Sequence, residues 1–235
     1  MIREHFQYRT TITTILAEDE KHVKAAKEAM VDARSELERD IIRDPFFGST
    51  YDPYPSEASS PVAQRMAAAS KPAGVGPMAA VAGTIAWYGV EAMQEAGATF
   101  AVIDNGGDIA LIAERDVTIG IHAGLSPFSG NLAFRVPPQG TILGICTSSA
   151  TVGPSVSFGT ADAVTVFSRN VSLADAWATS LCNDFTECSD DFFQTRDLRG
   201  VCGICAIAGD TICRWGALPD IVKASVDTSL ITAGR

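Results

Sequence analysis

Apolar positions recur every three or four residues across 18–43. Val23, Ala26, Met30, Ala33, Leu37 and Ile41 form one stripe, and Lys, Glu, Asp and Arg fill the remaining positions. The spacing predicts a long amphipathic helix whose charge run is a solvated face and not a binding site. His22 falls among those charges and is expected at the surface, as is His5 at the start of the preceding strand. That strand is read over 6–16, FQYRTTITTIL, from its β-branched and aromatic content.

The stretch RDPFFGSTYDPYPSEASSP interrupts the pattern with prolines, a glycine and serines, and reads as a loop. Its aromatics suit a lid, a subunit contact or, most commonly, packing over the long helix. Ser60 and Pro61 supply a cap and a first-turn proline for a short helix. After the turn Gly74-Val75-Gly76, Pro77 opens a further helix that ends near Gly97. Its small residues Ala79, Ala80, Ala82 and Gly83 admit a neighbouring backbone or a flat ligand.

Strand patterns then dominate, at 99–104, 108–113, 117–121, 131–136, near 141–146 and at 162–168. A helix at 172–183 and a hairpin turning at Gly209-Asp210 follow, and ASVDTSLITAGR ends the chain as a final strand or a frayed tail. The fold class is α+β, with mixed or antiparallel sheets and packed helices.

The length of 235 residues suits one domain with room for two lobes. A net charge of −10 and no basic patch argue against a nucleic-acid partner. The N-terminus has no long apolar core, and 72–93 is poor in large apolar residues. The expectation is therefore a cytoplasmic protein without a membrane partner. In that setting the six cysteines are expected as thiols and not disulfides. Cys202 and Cys205 form a Cys-x-x-Cys, but their flanks alternate like strands, which sends positions three apart to opposite faces. Buried thiols are favoured there over a metal or redox pair. Cys182 and Cys188 do not complete a standard zinc spacing.

Three loops of small residues could receive a ligand: Gly74–Gly76, Asn105–Asp108 and Thr147–Gly159. In AVIDNGGDIALIA, Asn105-Gly106 reads as the centre of a type I′ turn. Gly107 then exceeds what the turn requires and leaves backbone N–H groups open to a phosphate or carbonyl. Neither a Gly-Lys-Ser phosphate loop, a Gly-x-Gly-x-x-Gly nor a Gly-x-Ser-x-Gly elbow occurs. In NVSLADAWATSLCND, Asp175 and Thr179 share a helix face, as hard-oxygen ligation of magnesium needs. Equally, Ser172-x-x-Asp175 fits a capping box. His122 alone among the three histidines is placed to reach a pocket. Binding groups are plainer than acid–base groups.

Taken in order, GVGPMAAVAGTIA, NGGDIAL, CTSSATVGPSVSFGTADAVTVFS and LADAWATSL resemble the ApbE-like superfamily of FAD:protein FMN transferases, over about residues 70–183. The likeness is strongest to its UPF branch of small members without a lipoprotein signal. The resemblance implies one ApbE-like domain, with a strand–helix lobe at about 1–58, a ligand-binding core at 59–183 and a hairpin and tail at 184–235. It implies an FAD site at Gly106, Gly107 and Asp108, joined by Gly74, Gly76 and by Thr147, Ser148 and Ser149, which match the family's Thr-Ser-Gly. It also implies Mg2+ held by Ala174, Asp175 and Thr179 beside the FAD pyrophosphate, which favours the metal reading of Asp175 over the cap.

The chain departs from the pattern in two places. Ser149 stands where the family has glycine, and ATVGPSVSFGTADAV has no histidine where transferases carry His-x-x-Asp-Pro; Pro154 falls near that position. The expectation is a protein that binds FAD or a related small nucleotide with Mg2+, without standard FMN transfer. One alternative is a divergent Mg-dependent transferase. Another is a thiol-using factor in sulfur assimilation or homocysteine formation in anaerobes, acting through Cys202 and Cys205 or Cys146. A homodimer is allowed by the alternating strands and the loop aromatics.

Overall fold

A computed structural model describes residues 1–55, 60–150, 159–227 and 232. The first strand signal resolves into two strands, β1 (Ile2–Tyr8) and β2 (Thr11–Ala17), paired from Ile2↔Ala17 to Tyr8↔Thr11. The turn between them uses Arg9 at φ +55°. It has neither Gly nor Asn, so a single strand over 6–16 was the natural reading and is corrected here.

Helix α1 (Glu20–Arg43) starts at Asp19, whose side chain accepts the Lys21 N–H at 2.9 Å. Val23, Ala26, Met30, Ala33 and Leu37 are buried as the spacing requires, and Ile41 is half-buried. His22 is buried too, against the expectation of a surface position, and neither ring nitrogen has a hydrogen-bond partner among the described residues. It sits four residues before Ala26, on the edge of the same stripe. Phe47 of the following loop packs into the core beside Tyr54, whereas Phe46 and Tyr51 stay exposed.

Ser60 caps α2 (Pro61–Ala73) and also donates to buried Asp40, which ties the start of α2 to the end of α1. A short 3-10 turn (Pro77–Ala80) leads into α3 (Val81–Glu95). The strands that follow are β3 (Phe100–Asn105), β4 (Asp108–Ala113), β5 (Val117–Gly120), β6 (Leu132–Val136), β7 (Gln139–Ser148) and β8 (Ala163–Ser168). Next come α4 (Val171–Asp184), the short α5 (Asp190–Gln194), β9 (Val201–Ala208), β10 (Thr211–Gly216) and β11 (Asp220–Lys223). Neither α5 nor a strand ahead of 224 was legible in the sequence.

Among the described residues, eight strands form one antiparallel sheet in the order β1-β2-β3-β4-β7-β8-β9-β10, and β11-β6-β5 form a second. Strand alternation gives the large sheet two apolar faces. Ala101, Ile103, Ala110, Ile112, Val164 and Val166 meet the helices. Phe100, Val102, Ile109, Leu111, Ile145 and Phe167 meet the small sheet, with Phe134 and Phe167 edge to face at 5.0 Å. The helical layer lies on one side and the small sheet on the other.

Cys188 and Cys213 are joined in a disulfide, which overturns the expectation of six thiols and fastens the segment after α4 to β10. Cys146, Cys182, Cys202 and Cys205 are not part of a disulfide. No single helix among the described residues is long and apolar enough to cross a membrane. The bent pair of Pro61–Ala73 with Pro77–Glu95 passes that test by composition, and its Val62, Met66, Ile85, Val90 and Met93 are core residues.

Candidate functional site

The hairpin β3–β4 turns through Gly106 and Gly107, at φ +70° and +103°, between the paired residues Asn105 and Asp108. The two glycines are therefore the central residues of the turn. Gly107 is not surplus, as the sequence reading had it, because both positions need left-handed φ. What remains of the ligand argument is space. Among the described residues, a Cβ on Gly106 would meet nothing within 4 Å, and one on Gly107 only the Thr147 carbonyl at 3.7 Å.

The turn is fixed from several directions. Asn105 Nδ2 donates to the Ala82 carbonyl at 2.9 Å, joining the hairpin to the start of α3. The Gly107 N–H donates to Asp104 Oδ1 at 2.8 Å, and Thr147 N–H donates to the Gly107 carbonyl at 3.2 Å. Thr147 Oγ1 lies 2.9 Å from Thr165 Oγ1, so the end of β7 is held against β8. Asp104 escaped the sequence reading, although an Asp three residues before a turn amide is an ordinary signal of side-chain-to-backbone bonding.

Helix α4 brings in the second carboxyl. Its own cap is Asn170, whose Oδ1 accepts the Leu173 N–H at 2.9 Å, so the capping-box reading of Ser172 and Asp175 is corrected. Asp175 instead reaches across to α3, where Oδ2 accepts the Gly83 N–H at 2.8 Å. Gly83 is obligatory for this approach, because a Cβ there would stand 2.9 Å from Asp175 Cβ and 3.1 Å from the Val171 carbonyl. Thr84 Oγ1 donates to Ser172 Oγ at 2.7 Å one residue on. The small residues at the start of α3 thus admit α4 as the close neighbour. Thr179 follows Asp175 by one turn, half-buried on the same helix face.

Asp108 pairs in register with Cys146 of β7 and faces the helical layer together with it. Burial, and then the nearby Asp175 and Asp104, hold its pKa well above the usual carboxylate range, against hydrogen bonds from Cys146 and the Thr147 N–H. Burial also pushes Asp175 up to about 7, opposed by the N–H groups of Gly83 and Ala82. Asp175 is buried and Asp108 half-buried, and because the charge of Asp175 opposes ionisation of Asp108, a counter-charge favours the state in which both are ionised. They therefore hold protons near neutrality or take a cation. With the Thr179 hydroxyl they offer hard oxygen donors of the kind Mg2+ prefers. Among the described residues no three His, Cys, Asp or Glu side chains gather as a ready-made metal cage.

The remaining candidates lie elsewhere or serve other ends. Gly74 caps α2 at φ +71°, and the backbone of Thr50 and Tyr51 passes over Gly76. Ser148 and Ser149 follow Thr147 at the end of β7, half-buried, and Ala174 is buried in the first turn of α4. Residues 151–158, with Pro154, fall outside the described residues. His122 is exposed beside Ser129, 3.4 Å from its Oγ, in the loop between β5 and β6. Cys202 is exposed and Cys205 buried, as strand alternation required. Burial raises the Cys205 pKa to about 11 and the Cys146 pKa well above the ordinary thiol value, the opposite of an activated thiolate.

The family model described as AbpE bacteria matches residues 3–192. A UPF0280 protein of Methanosphaerula palustris is 58% identical over 235 residues, covering 100% of this chain and 99% of its own length. A UPF0280 protein of Methanoculleus marisnigri is 60% identical over 236 residues, with coverage of 100% and 96%. Among solved structures, the flavinyl transferase ApbE of Pseudomonas stutzeri in its apo form aligns with a TM-score of 0.59 at 11% identity, over 100% of this chain and 98% of that one. The flavin transferase ApbE of Vibrio cholerae aligns with a TM-score of 0.52 at 10% identity, over 91% and 96%. At these identities the two structures establish the ApbE fold alone.

Proposed function

Because the chain belongs to the AbpE family, we propose that it binds a flavin nucleotide, FAD, together with Mg2+ at the junction of the β3–β4 turn, α3 and α4. The observation that carries the reading is the nearness of Asp108 to the charge of Asp175, beside a Gly106-Gly107 turn with open space over Gly106 among the described residues. The N-terminal donors of α3, which a phosphate would ordinarily use, already serve Asp175. A pyrophosphate brought to this place would meet two carboxyls, and like charges in a dry site repel strongly. A cation between them removes the conflict, so binding is expected to require Mg2+.

In this reading Asp175 and Thr179 hold the cation with the Ala174 carbonyl, Asp108 adds charge, and the turn amides with Thr147 meet the ligand. Bound Mg2+ would supply the positive charge that neutralises the pyrophosphate. Asp175 is held by the N–H groups of Gly83 and Ala82, which fix its carboxyl at the start of α3. The flavin transferases among the structural neighbours favour a second reading, cleavage of FAD to transfer FMN with release of AMP. The absence of a histidine from 150–164 speaks against it. A thiol-based activity gains no support from the raised thiol pKa values or from Cys202 and Cys205 on opposite faces.

The test is thermal unfolding of the protein with FAD, with Mg2+ and with both, followed by an assay for AMP. Joint addition at about a hundredfold excess over Kd should add roughly 2.7 kcal/mol, a rise of several degrees. FAD alone should give much less. No joint shift would contradict the binding reading. AMP released in proportion to enzyme and lost in Asp175→Asn would favour the transferase.

A further inference from the structure

Near the end of the chain, Thr232 returns to the β3–β4 hairpin. It is buried, at 5% exposure, and its Oγ1 lies 2.6 Å from Asp104 Oδ2 and 2.8 Å from Thr14 Oγ1. Thr14 is the cross-strand partner of Asp104 in the β2–β3 ladder, so the hydroxyl sits on a fixed pair. The other Asp104 oxygen accepts the Gly107 N–H at 2.8 Å. One carboxyl thus joins a hydroxyl from the C-terminal tail to the amide of the turn's second glycine. Alternation places Asp104 on the face of Phe100 and Val102, opposite Asn105 and Asp108. Thr232 therefore braces the turn from behind, on the face opposite Asn105 and Asp108.

We propose that Thr232 is a positioning residue: its hydroxyl acts as a latch that, through Asp104, fixes the Gly106-Gly107 turn in the geometry its ligand meets. Two glycines at positive φ give the turn little stiffness of its own. Its order depends on groups that hold its amides, and Asp104 is the side chain that accepts one of them. Without the Thr232 hydroxyl, the Asp104 carboxyl loses a donor and gains freedom to rotate. The Gly107 N–H then loses a fixed acceptor, and through the Gly107 carbonyl the effect extends to the Thr147 N–H.

Amide hydrogen exchange, resolved by residue, tests the latch in the full chain and in Thr232→Val and Thr232→Ser. In Thr232→Val the Gly107 amide should exchange roughly tenfold faster, as expected when a charge-assisted hydrogen bond that limits local opening is lost. Amides within β8 and α4 should keep their wild-type rates, which verifies that the variant is folded. Thr232→Ser, which restores the hydroxyl, should return Gly107 to within about twofold of wild type. Unchanged Gly107 exchange in Thr232→Val would overturn the proposal. So would a Thr232→Ser protein that behaves like Thr232→Val, because methyl packing would then be the cause. The latch stands apart from the nucleotide reading, and only its effect on affinity rests on that reading. If FAD binds, its Kd should rise about as much as the exchange rate in Thr232→Val. A wild-type chain with a latched turn and no affinity for FAD would overturn the nucleotide reading alone.

Discussion

At the scale of single residues, Asp175 decides the pH behaviour. In the fold it keeps its proton up to about pH 7, against an ordinary value of 3.8, because burial outweighs the N–H groups of Gly83 and Ala82. The folded chain therefore binds more protons than the unfolded chain between those values. Its contribution to stability is complete below about pH 3.8 and is lost as pH rises through 7; the raised Asp108 acts in the same direction. Melting temperature in metal-free buffer should fall from pH 5 to pH 8. Asp175→Asn, which still accepts the Gly83 N–H, should flatten that fall. A profile identical in the variant would remove Asp175 as its source. The turn offers a second check: Gly107→Ala should cost about 1–2 kcal/mol in urea unfolding, because φ +103° is unsuited to a Cβ while the space around it is open. Asp175 and Thr179 were legible from helical spacing, and Gly106, Gly107 and Asp108 from the run of small residues between strands. The sequence did not distinguish which glycines carry the turn, nor that Asp175 would cap a different helix from its own. The first depends on the register of the β3–β4 hairpin, the second on a contact between residues 92 apart in the chain.

Among the elements, the fit of α3 on α4 sets the site. Gly83→Ala would thrust a methyl against Asp175 Cβ and the Val171 carbonyl, forcing the helices apart. Overpacking of this kind typically costs about 1–3 kcal/mol. It should also weaken Mg2+-dependent FAD binding, which Gly97→Ala, at a helix end away from α4, should leave intact; equal affinity in both variants would contradict the role given to the α3–α4 contact. The disulfide between Cys188 and Cys213 closes a separation of 25 residues. By chain entropy its reduction should cost about 3 kcal/mol, readable as a lower urea midpoint with a dithiol present. The long helix α1 was legible because its stripe repeats over 24 residues. The β1–β2 hairpin was not, since Arg9 occupies a left-handed position that sequence rules reserve for Gly and Asn. His22 was misplaced because it borders the buried stripe, where period alone does not separate edge from surface.

For the whole molecule, alternating strands and helical stripes identify an α+β chain but leave the pairing order open. Strand β4 pairs with β7 across the excursion of β5 and β6, and β11 returns from the C-terminal region to pair with β6. These long-range choices put the Asn105–Asp108 turn, the end of β7 and the first turns of α3 and α4 at one place. No local pattern encodes that meeting, and it is why the sequence offers Cys146 as a candidate thiol without showing it as the neighbour of Asp108. The central claim is that this meeting point binds FAD through a cation held by the carboxyls. Calorimetric titration of FAD into the full chain, with Mg2+ and then with a chelator, tests it most directly. The account predicts saturable binding with Mg2+ that weakens at least tenfold with chelator and in Asp175→Asn, consistent with about 1.4 kcal/mol or more of lost interaction. Equal affinity with and without Mg2+, or no binding at millimolar FAD, would contradict it.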